Sequence, residues 1–382
     1  MKGLGICAIA LSAALAACGG GGGGDSFGSG GSGSSTGSST GSSTGSSTGG
    51  GTPTICGTLD GFLGDASASN KVTGYSFAVF NASSILTTCA GGDQQIGAIR
   101  QIASASKLPS SAAIMTLVDS SQLNLDLPVL TYLLRGGIVW PLDKAMITTR
   151  QLLAHTSGLP GLAPGDTQPA CLDDETGTTL KDCVTQIAAA PLVATPGQVF
   201  DYGGADYQVA GYIATLLSGK SWQQFFQDAI STPLGLTAYS YGNPATVTNP
   251  RIAGGGVSNV ADYVKILQML MNNGMAGATA VLKPASVTEL ETDQIAGKTV
   301  QYSPVPASQY PGYTFGFFIS AASVHPGSAG PEFLDPGLFG STPWIDNDKH
   351  YGAVLIITKN TPVGLSMMNA VRPLILSALP AG

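Results

Sequence analysis

The chain has 382 residues, of which only 10% are charged, and a formal net charge of −7 with no cluster of lysines or arginines. That surface lacks the basic footprint needed to hold phosphates, so nucleic acid is not expected as a partner. The length suffices for a large two-lobed domain once the unusual first fifty residues are set aside.

Residues 1–17 place Lys2 before a short apolar run and then small residues, a pattern that reads as an export signal and is too short to span a bilayer. The LAAC tail, Leu15 to Cys18, resembles a bacterial lipoprotein signal. Cys18 would then be the lipidated first residue, and Gly19 behind it favours the outer membrane, facing either the periplasm or the surface. Residues 18–54 are a Gly/Ser/Thr tract that cannot bury a core and reads as a flexible tether. Its GSSTG repeats match G-x-S-x-G, but that motif needs a strand before it and a helix after it, and the tract supplies neither. Residues 55–382 remain as the folded domain.

Within that domain, TGYSFAVFNASSILTTCAG (73–91) reads as two strands around the turn NASS. IGAIRQIA continues extended towards Ser104. From Lys107 a helix is predicted, with Ile114, Leu117 and Val118 at helical spacing. DYQVAGYIATLLSG and SNVADYVKILQMLMNNG are further helices ending in glycine, the second capped by Ser258 or Asn259. YTFGFFISA, STPWID and YGAVLIITK return to strand, and LSMMNAVRPLILSAL closes the chain as a helix with a bend at Pro373. Strands from both chain ends can share one antiparallel sheet flanked by helices, with an inserted all-helical lobe and a cleft between the two.

Four cysteines lie in the domain. An even number in an exported chain suggests two disulfides, which we pair as Cys171–Cys183 across a short loop and Cys56–Cys89 across the first hairpin. There is no Cys-x-x-Cys and the three histidines are scattered, so no metal is expected.

The chain contains one Ser-x-x-Lys, Ser104 to Lys107, where three-residue spacing on a helix puts both side chains on one face. Around it, IASASKLPSSAAIMTLVDSSQLNLD, ITTRQLLAHTSGLPG, PGQVFDYGGADYQVAG and GGGVSNVADYVKILQML occur in order between about Gly74 and Lys359. Together they resemble the serine β-lactamase and penicillin-binding-protein superfamily. The likeness is strongest to its class C-like branch, which includes family VIII carboxylesterases and nylon-oligomer hydrolases. The resemblance implies a β-lactamase-like α/β (α+β) fold and cofactor-free hydrolysis through an acyl-enzyme. Ser104 would be the nucleophile, Lys107 its proton acceptor and Tyr202 a proton shuttle. Lys107 must spend time neutral, which burial beside Ile102, Leu108 and Ile114 would favour. The oxyanion donors would be the N–H of Ser104 and that of Leu338, with Gly337 and Gly204 completing the substrate-binding surface.

Two departures from the family pattern bear on substrate. Tyr202-Gly203-Gly204 lacks the asparagine expected two residues after the tyrosine, and Asp335-Pro336-Gly337 stands where the family has Lys-Thr-Gly or His/Trp-x-Gly. An aspartate there would repel a β-lactam carboxylate, so an uncharged ester, including oligoesters, is the favoured small-molecule substrate. The competing expectations are a β-lactamase or D-alanyl-D-alanine carboxypeptidase, an amide-oligomer hydrolase, and a binding protein that has lost the chemistry. His155 is expected to pack and hydrogen-bond rather than serve a triad, and His325 and His350 to be solvated. GGGVSN reads as a tight turn, and Trp344 and Phe339 as either pocket wall or core.

Overall fold

The computed structural model describes residues 53–243, 245–327 and 329–379. Residues 1–52, which hold the expected signal, Cys18 and most of the expected tether, lie outside the described residues.

Seven antiparallel strands form the main sheet: β1 (Gly74–Phe80), β2 (Ile85–Gly92), β3 (Gly312–Tyr313), β4 (Phe318–Ile319), β5 (Glu332–Leu334), β6 (Thr342–Asp346) and β7 (Tyr351–Ile357). Their spatial order is β3-β4-β5-β6-β7-β1-β2, so strands from the two ends of the domain meet where β1 pairs with β7, with Phe77 opposite Leu355. Both strands are buried along their whole length because both faces of the sheet are covered. Alternation along the strand sends Phe77, Leu355 and Ile357 towards the C-terminal helix, while Ala78, Phe80, Val354 and Ile356 face the other core. Disulfides join Cys56 to Cys89, tying helix α1 (Ile55–Asp60) to β2, and Cys171 to Cys183.

Between β2 and β3 the chain builds the second lobe on helices α2 (Lys107–Asp119), α3 (Leu180–Ala189) and α4 (Ala205–Ser218), while α5 (Val260–Met271) packs on the main sheet against β1, β6 and β7. The expectation of an all-helical lobe is corrected here. Arg100–Gln101, Gly256–Ser258 and Ser240–Tyr241 form a three-stranded sheet, and Val199–Asp201 pairs in parallel with Thr299–Tyr302. These strands are two to four residues long, too short to show a period of two. Helix α2 is buried on nearly every side, and its Ser110 and Ser111 hydroxyls meet those of Tyr241 and Tyr207 at 2.6 and 3.0 Å. Asn259 caps α5, its side chain accepting the Asp262 N–H at 2.9 Å.

Three further differences from the sequence reading concern the C-terminal part. YTFGFFISA is two short strands around Gly316 (φ +122), whose Cβ position lies 2.6 Å from Leu108 Cα, so a side chain there would collide with the start of α2. β5 was not foreseen because it is three residues long, begins at Glu332 and lies between Pro331 and Asp335-Pro336; the Glu332 charge is buried against Arg372, at 2.9 and 2.7 Å. Helix α6 (Thr361–Ala378) starts four residues earlier than LSMMN, at an Asn360 cap, and continues through Pro373.

Candidate active site

The chain reaches the cleft through a tight approach. Ala103 adopts φ 47, a left-handed conformation that costs a non-glycine residue roughly 1–2 kcal/mol, immediately before Ser104. Residues 103–106 make a 3₁₀ turn that runs directly into α2, so Ser104 stands half-buried at the head of the helix and Lys107 begins it. Pro109 fits this first turn because the N–H it lacks has no acceptor within the helix.

Lys107 Nζ lies 3.3 Å from Ser104 Oγ, 2.9 Å from the Ala253 carbonyl and 4.2 Å from the centroid of the Tyr202 ring. The lysine is 2% exposed, and among the described residues its hydrogen bonds go to Ser104 and the Ala253 carbonyl rather than to a carboxylate. Burial lowers its pKa, Asp335 and Asp206 oppose that, and the Arg251 charge assists it, leaving the amine at about 7. Tyr202 follows the strand Val199–Asp201 and precedes α4. Its buried hydroxyl makes no well-formed hydrogen bond, and burial together with Asp335 holds its pKa well above 10, with Ser104 opposing. The structure therefore brings Ser104, Lys107 and Tyr202 to one point: a hydroxyl, an amine close to neutral, and a phenol that keeps its proton.

These groups open onto a cleft of about 400 Å³. Gly203, Gly204, Leu338, Phe339 and Pro336 line it, as do the apolar side chains of Leu162, Leu172, Tyr302 and Pro304. Among the described residues, neither the Ser104 nor the Leu338 N–H donates to a loop or turn carbonyl. Gly337 is not itself a wall. It packs behind the turn, where its Cβ position is 2.1 Å from the Ile102 carbonyl oxygen, so only glycine lets the turn that carries Leu338 pack this closely against the segment leading into Ser104. At Gly204, by contrast, a Cβ would meet only Leu172 methyls at 3.7 and 3.8 Å, leaving room for the side chain that the family pattern places there.

Two sequence expectations are corrected. Asp335 is completely buried and does not line the cleft; its Oδ2 accepts the Leu108 N–H at 3.1 Å, so it cannot repel a substrate carboxylate by contact. His325 is 2% exposed and bonded to Asp346 at 2.8 Å rather than solvated. His155 is buried, hydrogen-bonds Asp206 at 3.1 Å through Nδ1 and packs tilted against Tyr202 with ring centroids 4.7 Å apart; burial first, and then Lys107, keep it neutral. Its bond goes to Asp206 and not to Ser104, so no Ser-His-Asp arrangement forms on the nucleophile. Trp344 is core, with its indole N–H on Tyr351, whereas Phe339 lines the cleft. His350 is exposed, and the glycine run forms a turn in which the Gly254 and Gly255 N–H groups bond the Arg251 carbonyl.

Sequence reasoning missed Arg251. It lines the cleft, 43% exposed, with Asp173 at 3.3 Å and Glu175 at 4.0 Å. Its place just before the glycine turn that presents the Ala253 carbonyl to Lys107 was the available signal.

The family model described as Beta-lactamase matches residues 60–375, and the chain belongs to this family of β-lactamase and penicillin-binding-protein-like serine hydrolases. Penicillin-binding protein 4 of Amycolatopsis lactamdurans is 30% identical over 243 residues, 56% of this chain and 62% of that protein. Two solved structures share the fold. A β-lactamase/D-alanine carboxypeptidase from Yersinia pestis superposes with a TM-score of 0.66 at 20% identity, covering 85% of this chain and 98% of its own. A family VIII carboxylesterase superposes with a TM-score of 0.64 at 19% identity, covering 84% and 97%.

Proposed function

We propose that the protein is a serine esterase that cleaves uncharged carboxylic esters with an apolar acyl group. The observation that carries the serine chemistry is the 3.3 Å approach of a buried, carboxylate-free Lys107 amine to Ser104 Oγ. Ser104 Oγ attacks the ester carbonyl carbon while its proton passes to Lys107 Nζ. The carbonyl oxygen, now negative, takes the N–H groups of Ser104 and Leu338, each worth roughly 3–4 kcal/mol of barrier. The C–O bond to the alcohol then breaks, and the proton held by Lys107 reaches the departing alkoxide through the Tyr202 hydroxyl. Water repeats the sequence on the acyl-enzyme and releases the acid.

Since many chemistries share this fold, the choice of substrate rests on the site. Among the described residues lining the cleft the cations are Lys107, committed to Ser104, and Arg251, already facing Asp173 and Glu175. A carboxylate-bearing β-lactam or peptide terminus thus finds no unpaired positive charge, whereas an alkyl or aryl ester meets Leu162, Leu172, Phe339 and Tyr302. The fold's likeness to a carboxylesterase is consistent with this reading. The test is a panel of p-nitrophenyl acyl esters, a nylon-type amide and nitrocefin on residues 53–382. Ester turnover exceeding nitrocefin turnover by about 10²-fold or more in kcat/KM is expected; comparable values would overturn the ester assignment.

We further propose that the protein is exported and held at the outer membrane by a lipid on Cys18, with residues 18–54 giving the enzyme reach. Cys18→Ala should move it from the membrane to the soluble fraction, and unchanged membrane association would refute the anchor.

A further inference from the structure

Asp335 occupies the position that the family pattern gives to a cation, yet its carboxyl faces away from the cleft. It is completely buried; Oδ2 accepts the Leu108 N–H at 3.1 Å and the Tyr263 hydroxyl at 3.4 Å, and Oδ1 has no partner among the described residues. Leu108 sits in the first turn of α2, where N–H groups have no acceptor within the helix. One side chain, arriving from the end of β5, thus caps the helix that carries Lys107 and Ser104.

We propose that Asp335 is a positioning residue for this reaction: its carboxyl fixes the first turn of the nucleophile helix and, by carrying or releasing a proton, governs how readily Lys107 accepts one. The inference rests on the serine hydrolase reading above. A buried carboxylate with half its acceptor capacity unmet is costly; burial raises its pKa, while the Leu108 N–H, Lys107 and Tyr263 oppose the rise, so the carboxyl at about 8 and the Lys107 amine at about 7 compete for a proton over the same pH range. When Asp335 is ionised it favours the ammonium form of Lys107 and removes the base; when protonated it releases the amine to act. The other charged groups acting on Lys107 are Asp206, which favours the ammonium, and Arg251, which disfavours it; His155 stays neutral. Around Asp335, besides Lys107 and Tyr263, stand Tyr202, Tyr207, Tyr241 and Tyr313, all protonated phenols.

The experiment measures kcat/KM for p-nitrophenyl butyrate across about pH 5–10, in wild type, Asp335→Asn and Tyr263→Phe. Asparagine keeps an oxygen for the Leu108 N–H but cannot ionise. Its acidic limb should move to lower pH by about half a unit or more, because the Asp335 charge no longer supports the ammonium and only Asp206 still does. A purely structural role would scale activity at all pH values and leave the limb in place. Tyr263→Phe removes a donor to the carboxylate, favours the protonated acid, and should shift the limb the same way by less; it carries the test if Asp335→Asn does not fold. An active wild type with both variants' limbs unmoved overturns the inference alone. A wild type that neither turns over esters nor reacts with a fluorophosphonate overturns the hydrolase reading and the inference with it.

Discussion

Replacing Gly337 with alanine tests the turn that carries Leu338, whose N–H is the second oxyanion donor in the proposed mechanism. The added Cβ would lie 2.1 Å from the Ile102 carbonyl oxygen, whereas real contacts of this kind stay beyond 3.0 Å, so some backbone must move by about 1 Å. Neither side yields easily. The Gly337 N–H donates to Ser341 O at 2.7 Å and its carbonyl accepts the Thr361 hydroxyl at 2.9 Å, while Ile102 is buried in the core beneath Ser104. A misplacement of that size takes the Leu338 N–H out of the 2.7–3.1 Å window in which such donors act, and costs about 10²-fold in rate, or about 2.7 kcal/mol of barrier. Steady-state kinetics on the preferred p-nitrophenyl ester should therefore show kcat falling by about 10²-fold with a smaller change in KM. Gly97→Ala, where a Cβ meets nothing within 4 Å, serves as the control and should leave kcat unchanged. A folded Gly337→Ala enzyme retaining kcat within about threefold of wild type would refute the oxyanion role of this turn.

Other outcomes follow from the same geometry. Ester hydrolysis requires neutral Lys107, so kcat/KM should rise as pH increases through about 7, and a flat profile between about pH 5 and 9 would contradict the amine's role. Arg251→Gln removes a charge that disfavours the ammonium, so the acidic limb should move to higher pH, an effect that weakens in high salt because the guanidinium is partly exposed; a shift to lower pH would reverse the sign of the reasoning. Gly204→Asn should fold normally, given the space beside Leu172, and should raise amide turnover relative to ester turnover by several-fold; an unchanged ratio would show that the missing amide does not set substrate choice.

Much of the sheet was legible because its central strands β1 and β7 are buried on both faces and announce themselves as runs such as YSFAVF and GAVLII. The disulfide pairs followed from the even number and the spacing of the cysteines in the domain. Ser104, Lys107 and Tyr202 could be nominated because their surroundings recur as ordered segments, and the structure brings them together. What escaped depended on partners distant in sequence. Glu332 disguised β5 because its neutralising Arg372 is 40 residues away. Asp335 looked like a cleft charge because nothing local says that its carboxyl turns to Leu108, 227 residues earlier. His325 read as solvated because Asp346 joins it only through the packing of β6.

Treatment of residues 53–382 with a fluorophosphonate, followed by intact mass and peptide mapping, interrogates the nucleophile itself. A single adduct on Ser104 is expected, forming faster as pH rises through about 7, absent in Ser104→Ala and slowed by about 10³-fold or more in Lys107→Met. No adduct on the wild-type protein, or labelling of Ser104 at a rate indifferent to both pH and Lys107, would contradict the account.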